Sequence, residues 1–220
     1  NINNICGTIN LYEQIDFDIL KKSLDLIISQ NDNFHTNFII KDGDVFQYFK
    51  DEIEYKIDII DITNEEELHE LEKNTMSHIF DILNSDLFNI KIFRYPDLTG
   101  GVIFNIHHII SDSWTLGLIA KEIVSNYYLL SNNTKIEPKN YSYIDYIDSE
   151  KKYINSQKYI KDKEFWSNYL ENRPELVTIP NNINSFNNDF SSAANRKLFE
   201  LDNKYINKIN NFCKEYNISL

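Results

Sequence analysis

The stretch GVIFNIHHIISDSW, residues 101–114, decides how the chain is read. Its first half is an apolar, β-branched run of the length of a buried strand. Its second half carries two adjacent histidines, His107 and His108, followed by Asp112. Ser111, Asp112 and Ser113 offer capping side chains just ahead of Trp114, and Leu116, Ile119, Ile123 and Tyr127 then recur at helical spacing. The segment reads as strand, turn and helix, with Asp112 as the cap. Consecutive strand residues point to opposite faces, so one histidine packs into the sheet and the other faces its open end. A neutral imidazole there can accept a proton from an amine, alcohol or thiol near pH 7, and a carboxylate can fix its tautomer or the surrounding loop. The competing reading at this point is an ordinary strand end with a capped helix behind it.

Other chemistries fit the stretch less well. Metal ligation is disfavoured because the two histidines diverge, Cys6 and Cys213 are remote, and neither H-x-x-x-H nor C-x-x-C occurs. Ser111 and Ser113 lack the G-x-S-x-G elbow of a serine hydrolase. The spacing His107-x4-Asp112 also occurs in glycerolipid acyltransferases, but this chain has no basic amphipathic or transmembrane segment to hold it at a membrane.

Around this stretch, strand and helix patterns alternate. NNICGTINLY (3–12) reads as a strand, and DFDILKKSLDLIISQ (16–30) as a helix starting near Asp16, with Phe17, Leu20, Leu24 and Ile27 or Ile28 on one face. TNFIIKDGDVFQYFK (36–50) is a hairpin around Asp42-Gly43, and EYKIDIIDI (54–62) is a strand. A helix follows a Thr63 or Asn64 cap, with acids in its first turn, His69 exposed and Met76 packed. LFNIKIFRY (87–95) is a strand, joined to residue 101 by the turn PDLTGG. Beyond residue 131 the pattern predicts helices over 143–150 and 153–170, a long connection over 172–189, a strand at KLFELD (197–202) and a helix over 203–216. The expected architecture is an α/β (α+β) sandwich, a mixed sheet flanked by helices.

With 220 residues, 42% of them apolar and 14% aromatic, the chain can bury a substantial core. Its net charge of −12 gives no bulk attraction for nucleic acid or anionic membranes. No window reaches the ~18 apolar residues of a membrane span, and NINNICGTIN holds no signal-peptide core. Two unpaired-looking cysteines without a motif suit reduced thiols in a cytoplasmic protein. Beginning without Met and ending within a pattern at KEYNISL, the sequence reads as a piece of a longer chain.

HHIISDSW (107–114) resembles the HHxxxDG signature of condensation domains of nonribosomal peptide synthetases. LDLIISQNDNFHTNF (24–38) resembles the family's RHExLRTxF segment, and FDILNSDLFNIKIFR (80–94) the stretch leading to the strand before the histidines. YSYIDYIDSE (141–150) resembles YxDYAxW through Tyr143, Asp145 and Tyr146, and EFWSNYLENRPELVTIP (164–180) resembles the YW helix and its exit, with Trp166 at the tryptophan. The resemblance spans nearly the whole chain in the right order.

It implies a chloramphenicol-acetyltransferase-like lobe. Residues 1–180 would be the N-terminal lobe of a condensation domain, and 181–220 the connection leading toward a C-terminal lobe. It implies amide formation between an acyl donor and an amino acceptor, both carried on phosphopantetheine arms of peptidyl carrier proteins, with no cofactor or metal bound by the domain itself. By resemblance His108 handles the amine's proton, His107 is more structural, and Asp112 organises the motif. Ser113, Trp114, His35, Tyr143 and Trp166 would support the motif or line the channel.

Two departures stand out. Ser113 replaces the motif's glycine, which permits a positive φ or close approach. Gln30 and His35 replace the two arginines, so Asp112 lacks its expected guanidinium partner and His35 is the substitute on offer. Alternatives from other classes are a condensation-like module that docks carrier proteins without catalysis, and a coenzyme-A-dependent acyltransferase of the same fold. A lobe face left uncovered also predicts dimerisation.

Overall fold

The computed structural model describes residues 3–138, 142–173 and 200–219. The chain divides into one unit over residues 1–168 and a second over 169–220. In chain order the elements are β1 (Asn4–Leu11), α1 (Phe17–Gln30), a 3-10 turn (Asp32–His35), β2 (Thr36–Lys41), β3 (Asp44–Phe49), β4 (Asp58–Asp61), α2 (Glu65–Met76), β5 (Phe88–Arg94), β6 (Gly100–His107), α3 (Ser113–Ser131), α4 (Tyr143–Ile154) and α5 (Gln157–Tyr169). Helix α6 (Asn203–Tyr216) belongs to the second unit.

Four strands form a sheet of order β1-β6-β5-β4. Its β4–β5 pair is parallel and the others are antiparallel, so the sheet is mixed as the sequence predicts. β6 lies inside it, and all eight of its residues are buried. Strand alternation explains this. Val102, Phe104 and Ile106 enter a core with Phe17, Leu20 and Leu24 of α1 and Ile119 and Ile123 of α3, while Ile103 packs with Leu68 of α2 and Phe93. Asn105, fully buried toward α2, donates to the carbonyl of Thr75 at 2.8 Å and accepts from Cys6 Sγ at 3.3 Å. A Cβ on Gly101 would fall on the Ile9 carbonyl oxygen and the Phe93 ring, so only glycine lets β1 approach there.

Local signals act where the sequence put them. Asp16 caps α1 by accepting from the amides of Asp18 and Ile19 at 2.9 and 3.0 Å, and Asn64 caps α2 by accepting from Glu67 N at 2.9 Å. Asp42 and Gly43 both have positive φ, 55° and 89°, the two-residue turn that suits the strands' twist and closes the β2–β3 hairpin. Thr36, Asn37 and Phe38 at the hairpin's base are buried, whereas its tip projects.

Some boundaries differ. The β4 ladder is confined to four residues of the predicted nine. Helix α4 runs on to Ile154 because its lysines continue the exposed face, and Asn155 then caps it with its backbone amide on Lys151 O and Tyr153 O. Of the strand expected over 197–202, the first three residues lie outside the described set. Glu200–Asp202 form no ladder; Asp202 instead caps α6, accepting from Lys204 N at 3.0 Å. The connection over 172–189 and the expected lobe boundary at 180 lie almost wholly outside the described residues. No described helix is long and apolar enough to cross a membrane.

Candidate functional site

The site grows from the end of β6. His107 is the last residue of that strand and is only 8% exposed, its ring edge-on to Phe80 with centroids 6.2 Å apart. Four hydrogen bonds converge on it. Its amide donates to Leu87 O at 2.8 Å, and its carbonyl accepts from Ile110 N and from Ser111 Oγ, both at 3.1 Å. Its Nδ1 accepts from Ile109 N at 3.1 Å. An imidazole that accepts at Nδ1 carries its proton on Nε2, so the turn's backbone selects the neutral tautomer. Burial lowers the His107 pKa, and the neighbouring His108 lowers it further.

The clamp on His107 projects His108 the other way. His108 begins the turn, is exposed, and donates its amide to Asn3 O at 2.6 Å. Its side chain lines an open cleft of about 280 Å³, faced by Asn33 from the 3-10 turn, Thr36 and Gln47 from the hairpin, and Tyr143 from α4. The turn after β6, from Ile109 to Asp112, and Thr115 of α3 supply the remainder. The lining is chiefly neutral and polar, and the His108 imidazole is one of its hydrogen-bonding groups.

Asp112 caps α3 through a reciprocal box. Its Oδ1 accepts from Thr115 N and from Thr115 Oγ1, both at 2.8 Å, and its own amide donates to Thr115 Oγ1 at 3.1 Å. The Thr115 amide, then its hydroxyl, hold the Asp112 carboxyl below the usual carboxylate range. Asp112 thus fixes the angle at which α3 leaves the turn, and among the described residues it bonds Thr115 and no cation.

His35 does not take over the missing guanidinium's place on Asp112. Its Nδ1 lies 3.0 Å from Lys50 O and its Nε2 3.1 Å from Ile28 O, so both ring nitrogens are engaged in tying α1's last turn to the exit of the hairpin. Ser113 is the first residue of α3 and has ordinary helical backbone, so this position needs no glycine. Ser113 and Trp114 are exposed at the start of α3, and Trp166 sits on α5 against Phe165, centroids 5.4 Å apart; none of the three lines the cleft.

Tyr143 does reach the cleft, and a residue the sequence reading passed over places it there. Asp32 Oδ2 accepts from Ser142 Oγ at 3.1 Å and from Tyr143 N at 3.0 Å, capping α4 from 110 residues away. Tyr143 is further held edge-on to Phe49 and stacked on Tyr146. Asp32 and Thr36 fall at the acid and the threonine of the RHExLRT-like segment, which was the available signal. Gln47, on the hairpin, carried none. Among the described residues, no group of three or more His, Cys, Asp or Glu is placed to hold a metal ion.

The family model for the condensation domain matches residues 2–220. The chain belongs to the condensation-domain family of nonribosomal peptide synthetases. It is 27% identical over 179 residues to surfactin synthase subunit 1 of Bacillus subtilis (strain 168), covering 80% of this chain and 5% of that one. Among solved structures it superposes on VibH, an NRPS condensation enzyme, with a TM-score of 0.70 at 21% identity, over 80% of this chain and 42% of that one. It also superposes on the epimerization domain from the third module of tyrocidine synthetase B, with a TM-score of 0.67 at 19% identity, over 80% and 42% of the two chains. The chain therefore spans less than half of these solved domains and a small fraction of the synthetase. One fold serves both condensation and epimerization domains, so the reaction must be argued from the site.

Proposed function

We propose that this chain is one lobe of a condensation domain that joins a carrier-bound acyl group to a carrier-bound amine, with His108 as the proton-handling residue. The observation that supports this best is an exposed imidazole at a polar cleft, projected by a turn that is clamped on buried His107 and capped by Asp112. The acceptor nitrogen attacks the thioester carbonyl, the C–N bond forms and the C–S bond breaks. His108 takes the proton from the attacking nitrogen and returns it to the departing sulfur, leaving an amide and a free thiol. Both substrates would arrive on phosphopantetheine arms of peptidyl carrier proteins, and a C-terminal lobe would close the other side of the cleft.

A second reading, a condensation-like module that docks carrier proteins without catalysis, is favoured by the absence, among the described residues, of a cation bonded to Asp112. One experiment separates them. The full-length parent protein is supplied with a carrier-bound acyl donor and a carrier-bound aminoacyl acceptor, and the product is followed by mass spectrometry. Condensation predicts amide formation from the carrier thioester. Carrier binding without amide would support the docking reading, and consumption of an acyl-coenzyme A donor instead would overturn both.

A further inference from the structure

We propose that a second, smaller chamber behind the His108 cleft is a subsite for an apolar substrate side chain on the scale of leucine or a single phenyl ring. The proposal rests on reading that cleft as the acyl-transfer site. The chamber has a volume of about 140 Å³ and lies between α3 and the 3-10 turn. Its apolar walls are Phe34, Ile106, Ile110, Leu118 and Ile119, and Asn31, whose Nδ2 donates to Ile27 O at 2.7 Å, also lines it, as does Glu122. Asn33, Ile110, Ser111 and Thr115 line both spaces, so the chamber opens from the cleft through a shared neck.

Helix geometry explains the wall. Thr115, Leu118, Ile119 and Glu122 stand at i, i+3, i+4 and i+7, one continuous stripe of α3 running from the Asp112 box away from the reacting centre. The neck's polar atoms are already engaged. Ser111 Oγ donates to His107 O, Thr115 Oγ1 is bound to Asp112, and Asn33 Nδ2 donates to Ile110 O at 3.4 Å. A group entering the chamber therefore meets apolar surface and few unsatisfied donors. A volume of about 150 Å³ accepts a molecule the size of benzene, which sets the scale of the side chain.

The test uses the full-length parent protein with two substitutions of Leu118, which is half exposed and so replaceable without emptying the core. In one arm the donor varies among glycyl, leucyl, phenylalanyl and aspartyl thioesters against a fixed glycyl acceptor; in the other the acceptor varies in the same way. Wild type should favour leucyl over glycyl and aspartyl by tenfold or more in kcat/KM in at least one arm, since a methylene or two in such a pocket is worth about 10–200-fold. Leu118→Trp should cut the leucyl rate at least tenfold while leaving glycyl within twofold, and Leu118→Ala should shift preference toward phenylalanyl. The arm that responds identifies the substrate whose side chain enters. Unchanged ratios in both arms, or a uniform loss for every substrate, would overturn the subsite. Should wild type form no amide at all, the acyl-transfer reading fails, and benzene becomes the probe: it should raise the Tm of wild type but not of Leu118→Trp, and equal shifts would overturn the chamber.

Discussion

The turn that ends strand β6 and the first residue of helix α4 both line the cleft, and the two elements are held in opposite ways. Every residue of β6 is buried, with α1 and α3 against one face and α2 against the other. Helix α4 has no buried residue; it is moored at its first turn by the Asp32 carboxylate and by the contact of Tyr143 with Phe49. One wall of the site is fixed by the hydrophobic core, the other by a few polar and aromatic contacts at the surface. His107 therefore sits on the rigid wall with His108 directly after it, and Tyr143 sits on the wall held by fewer contacts.

The largest effect should come from breaking the rigid wall. Phe104→Ala empties a fully buried site and should cost about 3–5 kcal/mol, read from the urea midpoint. The matched truncation on α4, Ile144→Ala, removes a half-exposed side chain and should stay within about 0.5 kcal/mol. Equal costs would erase the distinction between the walls.

A smaller and local effect is expected at the mooring. Asp32→Ala deletes the acceptor for both the Ser142 hydroxyl and the Tyr143 amide, a cap-like loss of about 1 kcal/mol. Amide hydrogen exchange should quicken across residues 142–146 while β6 keeps its protection. Quickening in both regions would mean that the walls unfold together.

The smallest effect is in the acid response of the turn. His107 has a pKa lowered by burial, so the folded state prefers it neutral. Its contribution is fully present above its ordinary value of 6.5 and is lost as pH falls through the lower, folded-state value, because protonation removes the Nδ1 acceptor from Ile109 N. His107→Asn keeps an acceptor oxygen near that position without titrating, so its stability should fall less steeply than wild type's below pH 6.5. Identical slopes would remove His107 from the account.

Much of the rigid wall was legible in the sequence. The i, i+3, i+7, i+10 spacing of Phe17, Leu20, Leu24 and Ile27 shows which face of α1 is buried, Asp42-Gly43 specifies the hairpin, and Asp112 stands where a cap belongs. These are signals carried within a few residues. The adjustable wall was legible only in part, because its contacts join distant segments: Asp32 reaches Ser142, and Gln47 meets the cleft because the hairpin folds over it. The destination of His35 was hidden for the same reason. Its partners are backbone carbonyls of Ile28 and Lys50, which no side-chain pattern marks.

The most direct test of the central claim is the rate of amide formation by His108→Ala in the full-length parent protein, measured in single turnover with both carriers loaded. His108 is exposed and makes its hydrogen bond to Asn3 through the backbone, so the substitution should leave Tm unchanged. The rate should fall by about 10²–10⁴-fold, the usual worth of a positioned general base. An unchanged rate with normal Tm would contradict the claim.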